Sequence, residues 1–103
     1  MGSMPTQTVT EPVADSKTQL APLYRVLIHN DDVTPMDFVV RVLEEIFRLD
    51  AARSVEVMWE AHTKGLAHVV TEPLEAAEFH VDQCRSLSRA RHFPLTFTIE
   101  PEN

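Results

Sequence analysis

The sequence predicts an α+β domain in two layers, with a small three-stranded sheet and three helices packed on one face of it. Segments of alternating apolar and polar residues are interspersed with segments whose apolar residues recur every three or four positions, in the order β-α-α-β-α-β. Collecting the helices on one face of a sheet is the simplest layering that buries every apolar stripe. The length of 103 residues and an apolar content of 44% fit a single modest core.

The first predicted strand covers residues 23–29, which alternate loosely and include β-branched and aromatic members. Asn30, Asp31 and Asp32 end it. The first helix then begins with Thr34 as N-cap and Pro35 at the first helical position, where a missing N–H costs nothing. About 14 residues follow with one apolar stripe. Its members are Met36, Val39, Val40, Leu43, Ile46 and Phe47.

The second predicted helix has Asp50 as N-cap and ends at Gly65, which suits the left-handed position after a helix. Its apolar stripe is predicted to contain Val55, Met58, Trp59 and His62.

A short second strand is predicted over residues 66–70. Thr71 and Pro73 repeat the pattern of a cap followed by proline, and a third helix then runs to about Arg91. Its stripe comprises Leu74, Ala77, Val81, Cys84 and Leu87. Pro94 ends the helical segment. Apolar and polar residues then alternate strictly over residues 95–99, which predicts a half-buried last strand.

Residues 1–22 are predicted to be a flexible arm in front of a folded domain at 23–103. Residues 1–3, which precede a second methionine, look like an expression scar. Residues 5–22 contain three Pro, four Thr and no aromatic residue, which is too little apolar surface to offset the entropy of ordering.

Composition narrows the classes of function. Nine Lys and Arg against 16 Asp and Glu give a net charge of −7, so neither nucleic acid nor an anionic membrane is an expected partner. The longest apolar runs are three residues, far short of the ~20 that a membrane-spanning helix needs. Two glycines are too few for the phosphate-binding loops of nucleotide enzymes. A single cysteine, Cys84, excludes a disulfide framework within one chain and favours a reducing cytoplasm.

The polar cluster of Asn30, Asp31 and Asp32 lies where a strand meets a helix, a place where binding sites often form. These residue types also simply favour turns. His62 lies one turn after Met58. It is either a core residue whose ring nitrogens are hydrogen-bonded within the protein, or a binding residue that acts together with the polar cluster at 30–32. Asp32 and His62 could serve a metal-dependent or Asp/His hydrolase. The five histidines are widely spaced and no nucleophile is paired with a base, so this hydrolase remains the alternative hypothesis.

Three separated stretches, in order, resemble the ClpS family, bacterial adaptors of the Clp protease. Residues 24–40 are similar to the family's strand that runs into Asn-Asp-Asp and then Thr-Pro-Met. Met58 and His62 match the family's Met and His, and the Phe-Pro-Leu at residues 93–95 resembles its His-Pro-Leu. The resemblance covers residues 23–100.

The resemblance implies a non-enzymatic adaptor without a metal or cofactor, a cytoplasmic monomer. It would bind proteins that bear N-degrons, meaning a free α-amino group and a large first side chain such as Leu, Phe, Tyr or Trp. It would deliver these proteins to the ClpA or ClpC unfoldase. By position, Asn30, Asp32 and His62 receive the ammonium group, with His62 as a neutral acceptor. The matching pocket and rim residues are Asp31, Thr34, Pro35, Met36, Val39, Met58, Ala61 and Leu95.

The chain departs from the family at several positions. Ala61 stands where Val is usual, which widens the expected pocket, and Val33 stands where Tyr is common. Glu75 matches an acidic residue of the surface that faces the unfoldase, but His80 stands where Lys is common. The resemblance therefore implies Glu75 and His80 as unfoldase contacts, and the arm as the extension that engages the unfoldase during delivery.

Overall fold

The structure is a computed structural model that describes residues 21–103; the predicted expression scar and all of the predicted arm except Ala21 and Pro22 lie outside the described residues. The order β-α-α-β-α-β is confirmed. The elements are β1 (Leu23–His29), α1 (Met36–Glu45), α2 (Ala51–Lys64), β2 (Leu66–Pro73), α3 (Leu74–Ala90) and β3 (Thr96–Pro101).

The three strands form an antiparallel sheet in the order β2-β1-β3. Ile28 of β1 lies opposite both Ala67 and Phe97, so these three side chains share one face. Val26 and Leu27 pair with Val70 and His68, which leaves Val69 as an extra residue in β2. Val69 is therefore a β-bulge, and its side chain is buried.

All three helices pack on the same face of this sheet, as predicted, and enclose one core. The central side chain is Leu43 of α1, which is fully buried against residues from the other elements. The core contains Val26, Ile28, Phe38, Val39, Val42, Leu43, Ile46, Phe47, Val57, Met58, Ala61, Ala67, Val69, Ala77, Val81, Cys84, Leu95 and Phe97. None of the helices within residues 21–103 is long and apolar enough to cross a membrane.

The first helix is shorter than predicted and begins later. Pro35, not Thr34, is the N-cap of α1, and no side chain caps this helix. The Thr34 hydroxyl is engaged elsewhere, since it donates to Asp31 at 2.9 Å. The helix ends after ten residues, and Arg48 then adopts the left-handed conformation with φ 62°. The predicted helix of 14 residues was therefore wrong at both ends, although Ile46 and Phe47 are buried as expected.

Both ends of the second helix are confirmed, but of its predicted apolar stripe only Met58 is buried, and Val55, Trp59 and His62 are exposed. The Arg53 N–H donates to the Asp50 carboxylate at 2.7 Å, and Gly65 has φ 94°. The buried residues of α2 are Ser54, Val57, Met58 and Ala61. Small residues allow neighbouring elements to approach closely, so the packed face includes positions that hydrophobicity does not mark.

The second strand extends three residues beyond its predicted end, to Pro73. Thr71 pairs with Arg25 in the sheet instead of capping α3, and Pro73 is the N-cap, again without a side-chain hydrogen bond. Leu74 and Leu87 are exposed, contrary to the predicted stripe. The buried residues of α3 are Ala77, Val81, Cys84 and Ser88.

The end of the third helix determines where the chain enters the last strand. His92 has φ 63°, and its N–H donates to the Arg89 carbonyl at 3.0 Å. The Phe93 N–H donates to the Ser88 carbonyl at 2.9 Å. These two bonds form a Schellman motif. The chain then turns back, and Leu95 is buried one residue before β3 begins.

Candidate binding site

A cavity of about 160 Å³ lies where the end of β1, the start of α1 and the end of α2 meet. Ten of the residues that the sequence pointed to line it: Asn30, Asp31, Asp32, Thr34, Met36, Val39, Met58, Ala61, His62 and Leu95. Pro35 does not line it, but borders a separate cavity with Phe38 and Phe93. Ile28 and His29 line it without having been predicted. Their position in the sequence, directly before Asn30, could have indicated that they line the same cavity.

Asp31 organises the connection between β1 and α1. Its Oδ1 accepts hydrogen bonds from the Val33 N–H at 2.8 Å and the Thr34 N–H at 2.7 Å. Its Oδ2 accepts from the Thr34 hydroxyl at 2.9 Å. An aspartate that bonds to the backbone two and three residues on closes a local turn. The Asp31 carboxylate is thus engaged within the connection, whereas the neighbouring Asp32 side chain is exposed.

A backbone hydrogen bond at the end of the β1–β2 ladder joins the two segments that carry the polar residues. The Asn30 N–H donates to the Gly65 carbonyl at 2.9 Å. Gly65 has a left-handed φ of 94°, a conformation that glycine adopts without steric cost. Its own N–H donates to the Ala61 carbonyl at 2.8 Å, which closes the last turn of α2. The end of β1 is therefore held beside the turn that carries His62.

The His62 ring stands at the cavity mouth. Its nearest aromatic neighbour is Trp59, whose ring centroid lies 5.5 Å away at an interplanar angle of 79°. Among residues 21–103, the histidine rings that make hydrogen bonds to other side chains are those of His29, His68 and His80. Within the described chain, the ring nitrogens of His62 therefore remain available to a ligand.

The wall of the cavity is apolar. Val39, Met58, Ala61 and Leu95 are each less than a tenth exposed, whereas Met36 is 40% exposed. The segment before Leu95 is held in place because Phe38 and Phe93 meet edge to face, with centroids 4.9 Å apart. Apolar side chains thus form the floor, and polar side chains surround the entrance.

The entrance suits a cation, and the floor suits one apolar side chain. The lining residues include two aspartates and no Lys or Arg. Buried ammonium groups require acceptors for three donors, and carboxylate, amide and imidazole groups can supply them. A cavity of about 150 Å³ is large enough to hold benzene, so about 160 Å³ fits one aromatic or branched aliphatic side chain. The arrangement can hold an amine that carries a large apolar group.

The predicted unfoldase contacts lie away from this cavity, at the start of α3. Glu75 is exposed, and the His80 Nδ1 lies 2.8 Å from the Glu72 carboxylate. Within residues 21–103, no group of three or more His, Cys, Asp or Glu side chains is placed to hold a metal ion.

Comparison with known proteins identifies the class of this domain. The sequence model that describes the ATP-dependent Clp protease adaptor protein ClpS matches residues 19–98. The chain is 40% identical to the ClpS adapter of Synechococcus elongatus over 97% of this chain and 100% of that protein. It is 45% identical to that of Roseobacter denitrificans over 92% of this chain and 80% of that protein. The domain is thus an adaptor of an ATP-dependent protease.

A solved structure agrees with the sequence matches. Agrobacterium tumefaciens ClpS2 bound to L-phenylalaninamide superimposes with a TM-score of 0.76 and 41% sequence identity. The match covers 79% of this chain and 98% of that one. The chain therefore belongs to the ClpS family.

Proposed function

We propose that this protein binds the first residue of other proteins and delivers them to the ClpA or ClpC unfoldase for degradation. One observation carries the binding part: polar acceptors surround the entrance of an apolar cavity that fits a single side chain. The A. tumefaciens relative is bound to phenylalaninamide, which has a free α-amino group and an aromatic side chain. The same chemistry fits this cavity.

In this proposal the α-ammonium group of the substrate lies between Asn30, Asp32 and His62. The Asn30 side-chain carbonyl and the Asp32 carboxylate each accept one N–H, and the charge on Asp32 strengthens its bond. Neutral His62 accepts the third through a ring nitrogen. Acetylation of the substrate removes two donors and the charge, so an acetylated chain is not held.

The first side chain of the substrate enters the apolar part of the cavity. Burial of apolar surface contributes roughly 25 cal/mol per Å², so Leu, Phe, Tyr and Trp bind more tightly than Ala or Ser. An acidic first side chain would lose its hydration without gaining a partner. Ala61, which is 4% exposed in the wall, leaves more room than the Val that is usual in the family.

Delivery is proposed to use a different surface. Exposed Glu75 and the half-buried His80 at the start of α3 would contact the unfoldase, and residues 1–22 would engage it during transfer. We propose a monomer that works in the cytoplasm. Cys84 is a free thiol whose burial raises its pKa to about 12 and keeps it unreactive.

Fluorescence polarisation with peptides that differ only in their first residue tests the binding proposal. Peptides with free Leu or Phe at the amino terminus are expected to bind, and N-acetylated versions are not. Equal binding of both forms would overturn the proposal. Cleavage of the peptide, followed by mass spectrometry, would instead favour a hydrolase that uses Asp32 and His62.

The role of His62 predicts that binding needs a hydrogen-bond acceptor at this position. His62→Gln, which keeps an acceptor, should bind a Leu-initiated peptide more tightly than His62→Ala, which has none. Equal affinities of the two variants, measured by fluorescence polarisation, would contradict this role.

A degradation assay tests delivery separately. Purified ClpA or ClpC, with its peptidase, should degrade a Leu-initiated reporter faster when this protein is added. Glu75→Ala should reduce that stimulation and leave peptide affinity unchanged. If Glu75→Ala stimulates degradation as strongly as the wild type does, Glu75 does not contact the unfoldase.

A further inference from the structure

His62 differs from the other histidines of the sheet and helices in what holds its ring. His29, His68 and His80 are each fixed by a side-chain oxygen at 2.7–2.8 Å. Within the described residues, the aromatic ring that contacts His62 is the perpendicular ring of Trp59, with centroids 5.5 Å apart. We propose that Trp59 is a positioning residue that orients the His62 imidazole toward the cavity mouth. This inference rests on the proposed function.

The burial of Trp59 supports a role outside the core. Trp59 is 49% exposed and belongs neither to the buried core nor to the cavity lining. Its ring packs against His62, three residues later on the same helical face. Perpendicular aromatic pairs at this separation are favourable because the positive edge of one ring meets the negative face of the other. A large side chain thus remains at the surface in contact with the histidine that would receive the ligand.

The backbone beneath this pair is already well held. The Thr63 hydroxyl donates to the Trp59 carbonyl at 2.9 Å, and the Gly65 N–H donates to the Ala61 carbonyl at 2.8 Å. The remaining freedom of His62 is therefore rotation of its own side chain. A ring that is oriented before binding loses less conformational entropy when the ligand arrives, which raises affinity.

Three single variants test this proposal. Trp59→Ala is expected to weaken binding of a Leu-initiated peptide about three- to tenfold. Trp59→Phe, which retains an aromatic ring, should stay within about twofold of the wild type. The matched control is Val55→Ala, one turn earlier on α2 and 41% exposed, which should leave affinity unchanged. Unchanged affinity in Trp59→Ala would overturn the proposal.

A double-mutant cycle separates positioning from direct contact. If Trp59 acts through His62, then Trp59→Ala has no further effect on affinity in a His62→Ala protein. An equal loss in both backgrounds would overturn the positioning role and make Trp59 a ligand contact.

NMR measurement of the side-chain couplings of His62, which report its χ1 rotamer populations, tests the same inference without ligand. Trp59→Ala should spread the His62 side chain over more rotamers than in the wild type, whereas Val55→Ala should not. Identical His62 couplings in the wild type and Trp59→Ala would contradict the inference. If the wild type failed to discriminate free from acetylated peptides, the proposed function would fail, and the NMR result would still decide whether Trp59 orients His62.

Discussion

Two connections in this domain lead from a strand into a helix through a proline, and only one of them forms part of the candidate site. Pro35 precedes α1 with φ −63° and ψ 143°, and Pro73 precedes α3 with φ −59° and ψ 152°. Neither helix has a side-chain cap at its start. The backbone at the helix start is therefore the same in both places.

The difference lies in the residues before the proline. Residues 30–35 separate β1 from α1, whereas β2 runs to Pro73 and α3 begins at the next residue. The inserted residues fold around Asp31, and four of them, Asn30, Asp31, Asp32 and Thr34, line the cavity. At the second connection, Glu72 pairs with His80 of α3. The proline determines where the helix begins, and the inserted residues create the site.

The largest expected difference between the two connections is in ligand affinity. Asp32→Ala should weaken binding of a Leu-initiated peptide by about 2–5 kcal/mol, because the ligand's charge loses its counter-ion. Glu72→Ala, the matched loss of an acid at the second connection, should leave affinity unchanged. Isothermal titration calorimetry measures both. Small and equal losses of affinity in Asp32→Ala and Glu72→Ala would show that Asp32 does not bind the ammonium group.

The next largest difference is in stability. Asp31→Ala should lower the free energy of unfolding by about 1–3 kcal/mol, because two backbone N–H groups and a hydroxyl lose their acceptor. Its effect on peptide affinity should be smaller than that of Asp32→Ala. Urea unfolding measures the stability, and Asp31→Asn, which retains one acceptor oxygen, should lose less. An Asp31→Ala protein as stable as the wild type would contradict this role.

The two prolines should have small and similar effects. Pro35→Ala and Pro73→Ala should each lower the free energy of unfolding by about 0.4–1 kcal/mol, since alanine gives the unfolded chain more freedom. Neither should change peptide affinity by more than about twofold, because Pro35 borders a different cavity. A large loss of affinity in Pro35→Ala, but not in Pro73→Ala, would show that Pro35 is part of the binding site.

The smallest difference is in pH dependence. His68, in the strand before the second connection, hydrogen-bonds Thr71 at 2.7 Å, and His29, in the strand before the first, hydrogen-bonds Thr98 at 2.8 Å. Partial burial, helped by the charges of Arg25 and Arg53, lowers the pKa of His68. Below about pH 6.5 the unfolded chain therefore takes up the proton first, and stability falls as pH falls.

Urea midpoints at pH 7.5 and pH 5 measure this contribution. The wild type should lose more stability between these pH values than His68→Gln does. An identical loss in the two proteins would contradict the lowered pKa of His68.

Local patterns in the sequence were enough for much of the fold. The order of the elements followed from periodicity, and the ends of α2 followed from Asp50 and Gly65. The starts of α1 and α3 were wrong because Thr34 bonds to Asp31 and Thr71 joins the sheet. Those choices depend on partners elsewhere in the chain, which a local pattern does not contain.

The cavity illustrates the same limit. Turn-forming residues at 30–32 and a histidine on a helix marked candidate positions, but their proximity depends on the pairing of β1 with β2 and on the bond from Asn30 to Gly65 beside it. Ser54 and Ser88 are buried, at 0% and 1% exposure, and neither was predicted as part of the core. Their inclusion follows from close packing between elements. The roles of the cavity residues remain predictions.

The bond between Asn30 and Gly65 couples the candidate site to the pairing of two strands. It joins positions 35 residues apart, directly beyond the last pair of the β1–β2 ladder, His29 and Leu66. A chain in which those strands have separated has no complete site, so an occupying peptide opposes their separation. At a concentration one hundred times its dissociation constant, such a peptide would add about 2.7 kcal/mol to the stability of the folded state. Under the proposed function, each bound substrate would therefore stabilise the adaptor that holds it.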